Sequence, residues 1–240
     1  SKGSISIMGA SMSAIGLSYS PGFDPFVDSK EKNRRAAIGK GPGVFADVYL
    51  EETNIVIWQR GLSNTLKNTV SQFVKSNPFF QTVMTVSPHS VLPSIRESLG
   101  HAVELEFSEN IAELVEMFCY LFQVRQVGLR LAVLDHGMCP NFHVDRVPCR
   151  LVTTYHGVAT EWLPHNKVNR EKLGASIKTN PDDRSGLYKN QNDIQQLSSG
   201  DVALLKGELW EGNEKAGLVH RSPSLSRGDR RLLLTIDFGS

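Results

Sequence analysis

His143 and Asp145 stand two residues apart in the segment NFHVDR, and both side chains carry donor atoms that bind metal ions in proteins. On an extended chain, residues i and i+2 point to the same side, so the imidazole and the carboxylate can converge on one ion. His220, at the end of a short strand predicted in GLVHRSP, is the candidate third ligand. The pair alone also fits a strand-end histidine beside an exposed aspartate. Together the three predict a divalent-metal site with open coordination positions.

An arginine pair follows the second histidine and opens the last predicted strand, RRLLLTIDF. Period-two alternation puts Arg230 on one face with four apolar residues: Leu232, Leu234, Ile236 and Phe238. We therefore predict that Arg230 faces the interior, where a buried guanidinium requires an anion. A substrate or cosubstrate carboxylate would suit it, and a structural Asp or Glu is the alternative. Arg231 competes for the same role, but its strand face argues against it.

The three cysteines, Cys119, Cys139 and Cys149, are too few and too unevenly spaced for a disulfide framework. We therefore expect a reducing, cytoplasmic compartment. Cys139 and Cys149 lie on either side of His143, and these three residues could form a zinc site instead. The absence of a CxxC pair argues against a closed structural zinc site, and burial as a small apolar residue is the commoner role of cysteine.

The charge balance bears on the class of partner. The chain of 240 residues has 26 basic and 25 acidic residues, which gives a formal net charge of +1. This balance argues against nucleic acid as a partner, since such binding requires a basic surface. No segment has the apolar length of a membrane span, so we expect no membrane association. We expect a small molecule or a protein side chain as substrate, and the sequence predicts no oligomeric state.

The pattern of elements divides the chain into three parts. Residues 1–46 are rich in Gly, Ser and Pro and predict an irregular N-terminal arm. Residues 47–126 contain a strand that ends in IVIWQR, followed by three helices. The candidate N-caps are Ser63 or Asn64 for the first helix and Ser108 for the third. Residues 127–240 contain short strands joined by Gly and Pro turns, which favours an antiparallel barrel or jelly roll. The prediction is an α+β fold in one continuous unit, with helices packed outside a β core.

The ordered combination of HVD, a distant histidine and an arginine after an SP…G turn resembles the non-haem iron(II), 2-oxoglutarate-dependent dioxygenases. HRSPSLSRGDRRLLLTIDF is similar to the last two core strands of their prolyl-hydroxylase-like branch, and GDVALLKG is similar to the preceding strand. The resemblance covers residues 127–239, while IVIWQR resembles a bacterial family of uncharacterised domains. The resemblance to the dioxygenases implies a double-stranded β-helix, which is a jelly-roll fold of the cupin type.

The resemblance also implies a ligand set. The iron(II) ligands would be His143, Asp145 and His220. Arg230 would bind the distal carboxylate of the cosubstrate, 2-oxoglutarate. Many relatives have a serine two residues after this arginine, where the present sequence has Leu232, so Tyr155 in VTTYHG is the candidate replacement hydroxyl. The alternative for Tyr155 is a buried tyrosine whose hydroxyl is satisfied by the backbone.

Three function classes remain open. The first is an iron(II)- and 2-oxoglutarate-dependent oxygenase that hydroxylates an unidentified substrate. The second is a non-catalytic, cupin-like protein that binds zinc or another divalent ion through the same triad and does not need Arg230. The third is an interaction domain in which the triad has decayed. The polar segment 165–199 predicts a long loop, where a lid or substrate-binding segment is expected.

Overall fold

Three α-helices and ten strands make up the part of the chain that the structure, a computed structural model, describes: residues 32–174 and 186–239. The helices are α1 (Asn64–Ser76), α2 (Val91–Leu99) and α3 (Leu105–Phe122). The strands are β1 (Arg35–Gly39), β2 (Thr53–Trp58), β3 (Gln81–Val86), β4 (Val127–Leu134), β5 (Cys149–His156), β6 (Glu161–Leu163), β7 (Gln195–Gln196), β8 (Val202–Lys206), β9 (Val219–Arg221) and β10 (Arg231–Phe238). A 3₁₀ helix, Pro42–Tyr49, joins β1 to β2.

The predicted irregular arm corresponds only in part to described residues, because residues 1–31 lie outside them. For Arg35–Gly39 the prediction is wrong, because this segment forms β1 and pairs in parallel with β2. Arg35–Gly39 is extended because it pairs with β2, and local composition does not reveal such a partner. Of the loop predicted at 165–199, residues 175–185 also lie outside the described part.

Seven strands form a large sheet in the order β1-β2-β8-β5-β10-β4-β3. Neighbours are antiparallel except for the β1–β2 pair. β10 lies between β5 and β4, so the strand that opens with Arg231 is central. β3 forms one edge, and its residues alternate between exposed and partly buried positions, which is why apolar periodicity did not predict it.

Local signals explain where the helices begin and end. Ser63 Oγ accepts a hydrogen bond of 3.0 Å from the Leu66 backbone N–H and caps α1. Gly100, with φ of +94°, ends α2. The predicted cap at Ser108 is wrong, because α3 begins at Leu105 and so presents the buried Phe107 to the sheet. None of the described helices has the length and apolarity needed to cross a membrane.

One face of the large sheet packs against the three helices and forms the main hydrophobic core. Helix residues of this core include Phe73, Ile95, Phe107, Ile111 and Phe118, and sheet residues include Leu129, Leu151, Tyr155, Leu232 and Leu234. Full burial of an apolar side chain of this size contributes about 1.5–3 kcal/mol, so this layer supplies most of the drive to fold. Because one core joins both halves of the chain, the boundary predicted at residue 126 does not separate two cores.

The opposite face of the large sheet packs in part against a second, three-stranded sheet in the order β7-β6-β9. Their shared core includes Ile55, Val152, Trp162, Ala203 and Leu218. The described chain is therefore a mixed α/β fold in three layers: helices, the large sheet and the small sheet. The remaining part of this face, on β4 and β10, borders the cavity described next.

Candidate metal centre

His143 and His220 lie side by side at the edge of the small sheet. β9 supplies His220, and His143 pairs with it through two backbone hydrogen bonds of 3.0 Å, one in each direction. The centroids of the two imidazole rings are 4.5 Å apart. Main-chain pairing therefore brings together two side chains that are far apart in the sequence.

The Nε2 atoms of both imidazoles face the carboxylate of Asp145. His143 Nε2 lies 3.4 Å from Asp145 Oδ1, and His220 Nε2 lies 3.4 Å from Asp145 Oδ2. On the far side of each ring, Nδ1 lies near a backbone oxygen: 2.9 Å from Asn141 O for His143, and 3.2 Å from Leu218 O for His220. An Nδ1–H that donates to a carbonyl fixes the tautomer in which Nε2 is free to bind a metal.

Backbone hydrogen bonds join the loop that carries Asp145 to the residues that follow β8. The Asp145 backbone oxygen accepts a hydrogen bond of 3.0 Å from Glu208 N–H, and the Pro148 oxygen accepts one of 2.9 Å from Gly207 N–H. A Cβ at position 207 would overlap the Val147 carbonyl. Glycine is therefore required there, and this close packing fixes the backbone from which the Asp145 carboxylate extends.

The charge of Asp145 is set by its neighbours. Arg150 Nη1 lies 3.0 Å from Asp145 Oδ2, and Arg150 Nε lies 2.8 Å from Asp237 Oδ1. Burial alone raises the pKa of Asp145, but hydrogen bonds from His143 and His220 and the charge of Arg150 hold it well below its usual range. Burial lowers the pKa of His143, and its hydrogen bond to Asp145 produces a net increase. The Asp145 carboxylate is therefore ionised, as a metal ligand must be.

The donor atoms of these three side chains fit a divalent metal. One donor from each residue lies within 4.8 Å of the others, and no other such group of His, Cys, Asp or Glu occurs in residues 32–174 and 186–239. Bonds of about 2.0–2.2 Å to one ion put neighbouring donors about 3–3.5 Å apart. The two spacings of 3.4 Å agree with this value. Two imidazoles and one carboxylate are also the donor set of a facial triad.

A cavity of about 340 Å³ opens beside the triad. Its lining includes His143 and His220, and on the large sheet it includes Arg231, Leu233, Thr235 and Asp237 of β10. The other residues of this strand, Leu232, Leu234 and Ile236, belong to the core under the helices. The two faces of β10 thus have separate roles.

Arg230 does not line this cavity. It precedes β10, borders a separate cavity with Lys75 and His156, and its Nη1 lies 3.3 Å from Asp229 O. The prediction that Arg230 points inward beside the metal ligands is wrong, because the apolar face of β10 packs against helices. The face that lines the cavity with His143 and His220 is the opposite one, which begins with Arg231.

Arg231 is buried without a carboxylate partner among the residues that the structure describes. Its side chain is 2% exposed, and its hydrogen bonds go to two hydroxyls. Nη2 donates to Thr160 Oγ1 at 2.6 Å and to Thr154 Oγ1 at 3.2 Å, while Nε lies 3.3 Å from Thr154 Oγ1. Burial lowers the pKa of Arg231 to about 10, which leaves it cationic at neutral pH. A buried cation with only hydroxyl partners is prepared for an anion.

Tyr155 lies on the helix side of β5, not on the cavity side. Its hydroxyl donates to Asn110 Oδ1 at 2.7 Å, and its ring packs edge-on against Phe107 at 5.0 Å between centroids. The prediction that the Tyr155 hydroxyl assists a cosubstrate is wrong for this reason. Its neighbour Thr154 occupies the cavity side, where it contacts Arg231.

The alternative zinc site of two cysteines and His143 is not assembled. Cys139 is exposed and lines the cavity near His143, whereas Cys149 is fully buried in the core under the helices. Burial raises the pKa of the Cys149 thiol, which disfavours the thiolate that a metal would need.

Sequence reasoning did not single out Thr154 and Thr160, which hold the Arg231 guanidinium. It also predicted neither the pairing of Arg150 with Asp145 nor the position of Arg231 in the cavity lining. Arg150, Thr154 and Arg231 occupy polar positions on strands whose other face is apolar, and that alternation was visible in CRLVTTYH and RRLLLTIDF. Thr160 has no comparable signal, because it lies in a turn that reaches Arg231 only through the tertiary fold.

A family model described as "Protein of unknown function (DUF1826)" matches residues 39–237, so the chain belongs to this family. No curated protein matches the chain.

Among solved structures, the chain is similar to the dioxygenase for auxin oxidation from rice, with 9% identity, a TM-score of 0.47, and coverage of 86% of this chain and 83% of that chain. It is similar to dioxygenase for auxin oxidation 1 from Arabidopsis thaliana, in a binary complex with 2-oxoglutarate, with 10% identity, a TM-score of 0.46, and coverage of 86% and 93%. A Pseudomonas putida prolyl-4-hydroxylase is similar at 10% identity and a TM-score of 0.44, with coverage of 82% and 98%.

Proposed function

We propose that this protein is a non-haem iron(II)- and 2-oxoglutarate-dependent oxygenase that hydroxylates its substrate. The observation that carries the proposal is that one cavity is lined by the two histidines of the triad and by a buried guanidinium without a carboxylate partner among the described residues. The triad alone also suits zinc. Arg231 distinguishes the oxygenase from a zinc-binding protein, because a protein that only binds a metal does not need a second, anion-binding group beside the ion.

The metal ligands in this proposal are His143, Asp145 and His220. Such a triad occupies one face of an ion and leaves the opposite positions open. The carbonyls of Asn141 and Leu218 orient the two imidazoles, and Arg150 keeps Asp145 ionised and directed at the ion.

The cosubstrate site in this proposal is built around Arg231. The planar guanidinium forms two parallel hydrogen bonds with a carboxylate, which suits the distal carboxylate of 2-oxoglutarate. Thr154 and Thr160 hold the guanidinium in place, and Leu233 and Val152 of the same cavity help to exclude water. These hydroxyls take the place of the serine that many relatives have after the arginine.

When bound, iron(II) with 2-oxoglutarate and dioxygen supplies the oxidising power that inserts one oxygen atom into a C–H bond, while 2-oxoglutarate loses CO₂ and becomes succinate. The chain's own residues bind and orient the reactants. We further propose that the two facing sheets, with the triad between them, form a double-stranded β-helix. The triad at the edge of the small sheet and Arg231 on the large sheet support this fold.

Anaerobic titration tests the proposal directly. Iron(II) is added first and 2-oxoglutarate second, and a visible charge-transfer band is expected only after the second addition. Arg231→Met is expected to weaken 2-oxoglutarate binding at least about 10-fold, because hydrogen bonds to a charged group contribute about 1.5–3 kcal/mol. Arg230→Met is the matched control, since it removes the adjacent positive charge from the other face of the chain.

Three outcomes decide the matter. A band that depends on Arg231 and not on Arg230 supports the oxygenase. Metal uptake without any 2-oxoglutarate binding would favour the cupin-like zinc protein. Metal content that is unchanged in His143→Ala would reject both, and would leave an interaction domain.

A further inference from the structure

Four guanidinium groups line the cavity beside the triad: Arg130, Arg150, Arg221 and Arg231. Arg150 is paired with Asp145 and Asp237, and Arg221 Nε lies 2.6 Å from Glu161 Oε2. Arg231 has the cosubstrate role described above. Arg130 is the group that the proposed function does not use.

Arg130 is held in position without being neutralised. Its Nη1 lies 2.8 Å from Met138 Sδ, and its Nη2 lies 3.3 Å from Gln81 Oε1. A thioether and a side-chain amide are neutral acceptors, and a thioether is a weak one. No ion pair joins Arg130 to a carboxylate within residues 32–174 and 186–239. Its positive charge is therefore available to a ligand.

The sheet register puts Arg130 in the floor of the cavity. On β4 it pairs with Thr235 of β10 on one side and with Val83 of β3 on the other, and both neighbours line the cavity. Arg231 stands four residues before Thr235 on β10, which corresponds to about 13 Å along a strand. The two arginines thus extend from backbone positions that are well apart along the sheet, so they are suited to two different anions.

The surroundings of Arg130 are apolar and open. Val83 is 67% exposed and Met138 is 43% exposed, although both are hydrophobic. Large apolar side chains exposed at the lining of a cavity mark a surface that a ligand covers. The volume of about 340 Å³ is at the lower end of the range of small-molecule sites, which is about 300–1,000 Å³.

We propose that Arg130 binds the carboxylate of the primary substrate, a small organic acid whose apolar body lies against Val83 and Met138. The inference rests on the proposed function, because it assigns Arg231 to 2-oxoglutarate. A guanidinium and a carboxylate form the paired hydrogen bonds that fix orientation, so Arg130 selects for the acid and sets which carbon faces the metal.

The test uses the protein loaded with manganese(II) in place of iron and saturated with 2-oxoglutarate. The probes are two matched pairs: phenylacetate with phenylacetamide, and hexanoate with hexanamide. Calorimetry measures affinity, and relaxation of the probe protons by manganese(II) reports whether the probe lies beside the metal. Each acid is expected to bind at least about 10-fold more tightly than its amide, since the acid adds a charge-assisted hydrogen bond.

Variants assign the preference to one residue. Arg130→Gln is expected to abolish the preference for the acid and to leave 2-oxoglutarate affinity unchanged, and Arg130→Glu is expected to prefer phenethylamine to phenylacetate. Arg96→Gln, on α2 in the helix layer, removes the same charge away from the cavity and is expected to behave like the wild type.

The inference is overturned if the acids bind no better than the amides, or if their preference survives in Arg130→Gln. Weaker 2-oxoglutarate binding in Arg130→Gln, with probe binding unchanged, would assign Arg130 to the cosubstrate. Tighter binding of an acidic peptide than of any free acid would reject the small-molecule class. Failure of the proposed function is recognised separately, because wild-type protein would then take up manganese(II) without 2-oxoglutarate, whatever happens to the probes.

Discussion

The side chains on the two faces of the large sheet have different roles. The helix face of β10 presents Leu232, Leu234 and Ile236, which are fully buried among helix residues. The cavity face of the same strand presents Arg231, Leu233, Thr235 and Asp237. At the start of the strand, burial therefore does not separate the two faces, since Arg231 is about as inaccessible as the leucines. The two faces differ in their partners. The apolar side chains of the helix face pack against other apolar residues, whereas Arg231 on the cavity face has only hydroxyl partners among the described residues and is positioned to bind an anionic ligand.

This difference teaches how stability and function are divided within one strand. Apolar side chains on the helix face contribute to folding through area removed from water. On the cavity face, burial of Arg231 with only hydroxyl partners costs stability, because desolvation of a charge is not repaid by a carboxylate. We therefore expect substitutions on one face to change the free energy of unfolding, and substitutions on the other to change ligand affinity.

The largest effect is expected from the triad. His220→Ala removes a proposed metal ligand, and we expect metal binding to fall by more than the roughly 10–100-fold that loss of a hydrogen-bond partner of a ligand causes. Metal content after dialysis and calorimetric titration measure it. His136→Ala is the matched control, because His136 is exposed and pairs with Asp135 away from the triad. Equal metal content in the two variants would contradict the assignment.

The next prediction compares two adjacent residues that lie on opposite faces of β10. Leu232→Ala opens a cavity in the core under the helices and is expected to lower the free energy of unfolding by about 2–5 kcal/mol. Affinity for 2-oxoglutarate in the folded protein should not change. Leu233→Ala, on the cavity side, should cost less stability and weaken 2-oxoglutarate binding. Urea unfolding and calorimetry measure the two quantities, and a larger stability loss for Leu233→Ala would reverse the comparison.

The triad could be predicted from the sequence because its signal is chemical. His143, Asp145 and His220 have side chains of types that can bind metals, and the order of motifs supplied the third candidate ligand. Helices α1 and α2 were likewise predicted, from the Ser63 cap and from Gly100, because those signals are local.

The arginine could not be assigned correctly because the apolar face of β10 was taken to be the interior of the β core. That inference holds when a strand has one buried face. Here both faces of β10 are buried in its first half, and helices cover the apolar one. Which face borders the triad depends on where the helices pack, and this information is not local to RRLLLTIDF. For the same reason, Tyr155 was predicted at the cavity but lies in the core under the helices.

A smaller effect is expected from the residue that holds Asp145. Arg150→Gln removes the contact to Asp145 Oδ2 and the bridge to Asp237, while all three ligands remain. We expect metal affinity to fall about 10–100-fold, as for other outer-shell partners. Arg146→Gln is the matched control, because it removes an equal charge from an exposed neighbour of Asp145. If both variants lose affinity equally, net charge and not the contact is responsible.

The smallest effect distinguishes neighbouring residues of β5. Tyr155→Phe removes the hydrogen bond to Asn110 Oδ1, which also accepts one from Arg60, so we expect a loss of about 0.5–1.5 kcal/mol in the free energy of unfolding. Affinity for 2-oxoglutarate should stay unchanged, because the tyrosine lies on the helix face. Thr154→Val, one residue earlier on the cavity face, should do the reverse: it removes one of the two hydroxyl partners of Arg231 and weakens 2-oxoglutarate binding at little cost in stability. Weaker cosubstrate binding in Tyr155→Phe, measured by the same calorimetric titration, would show that the two faces are coupled and not independent.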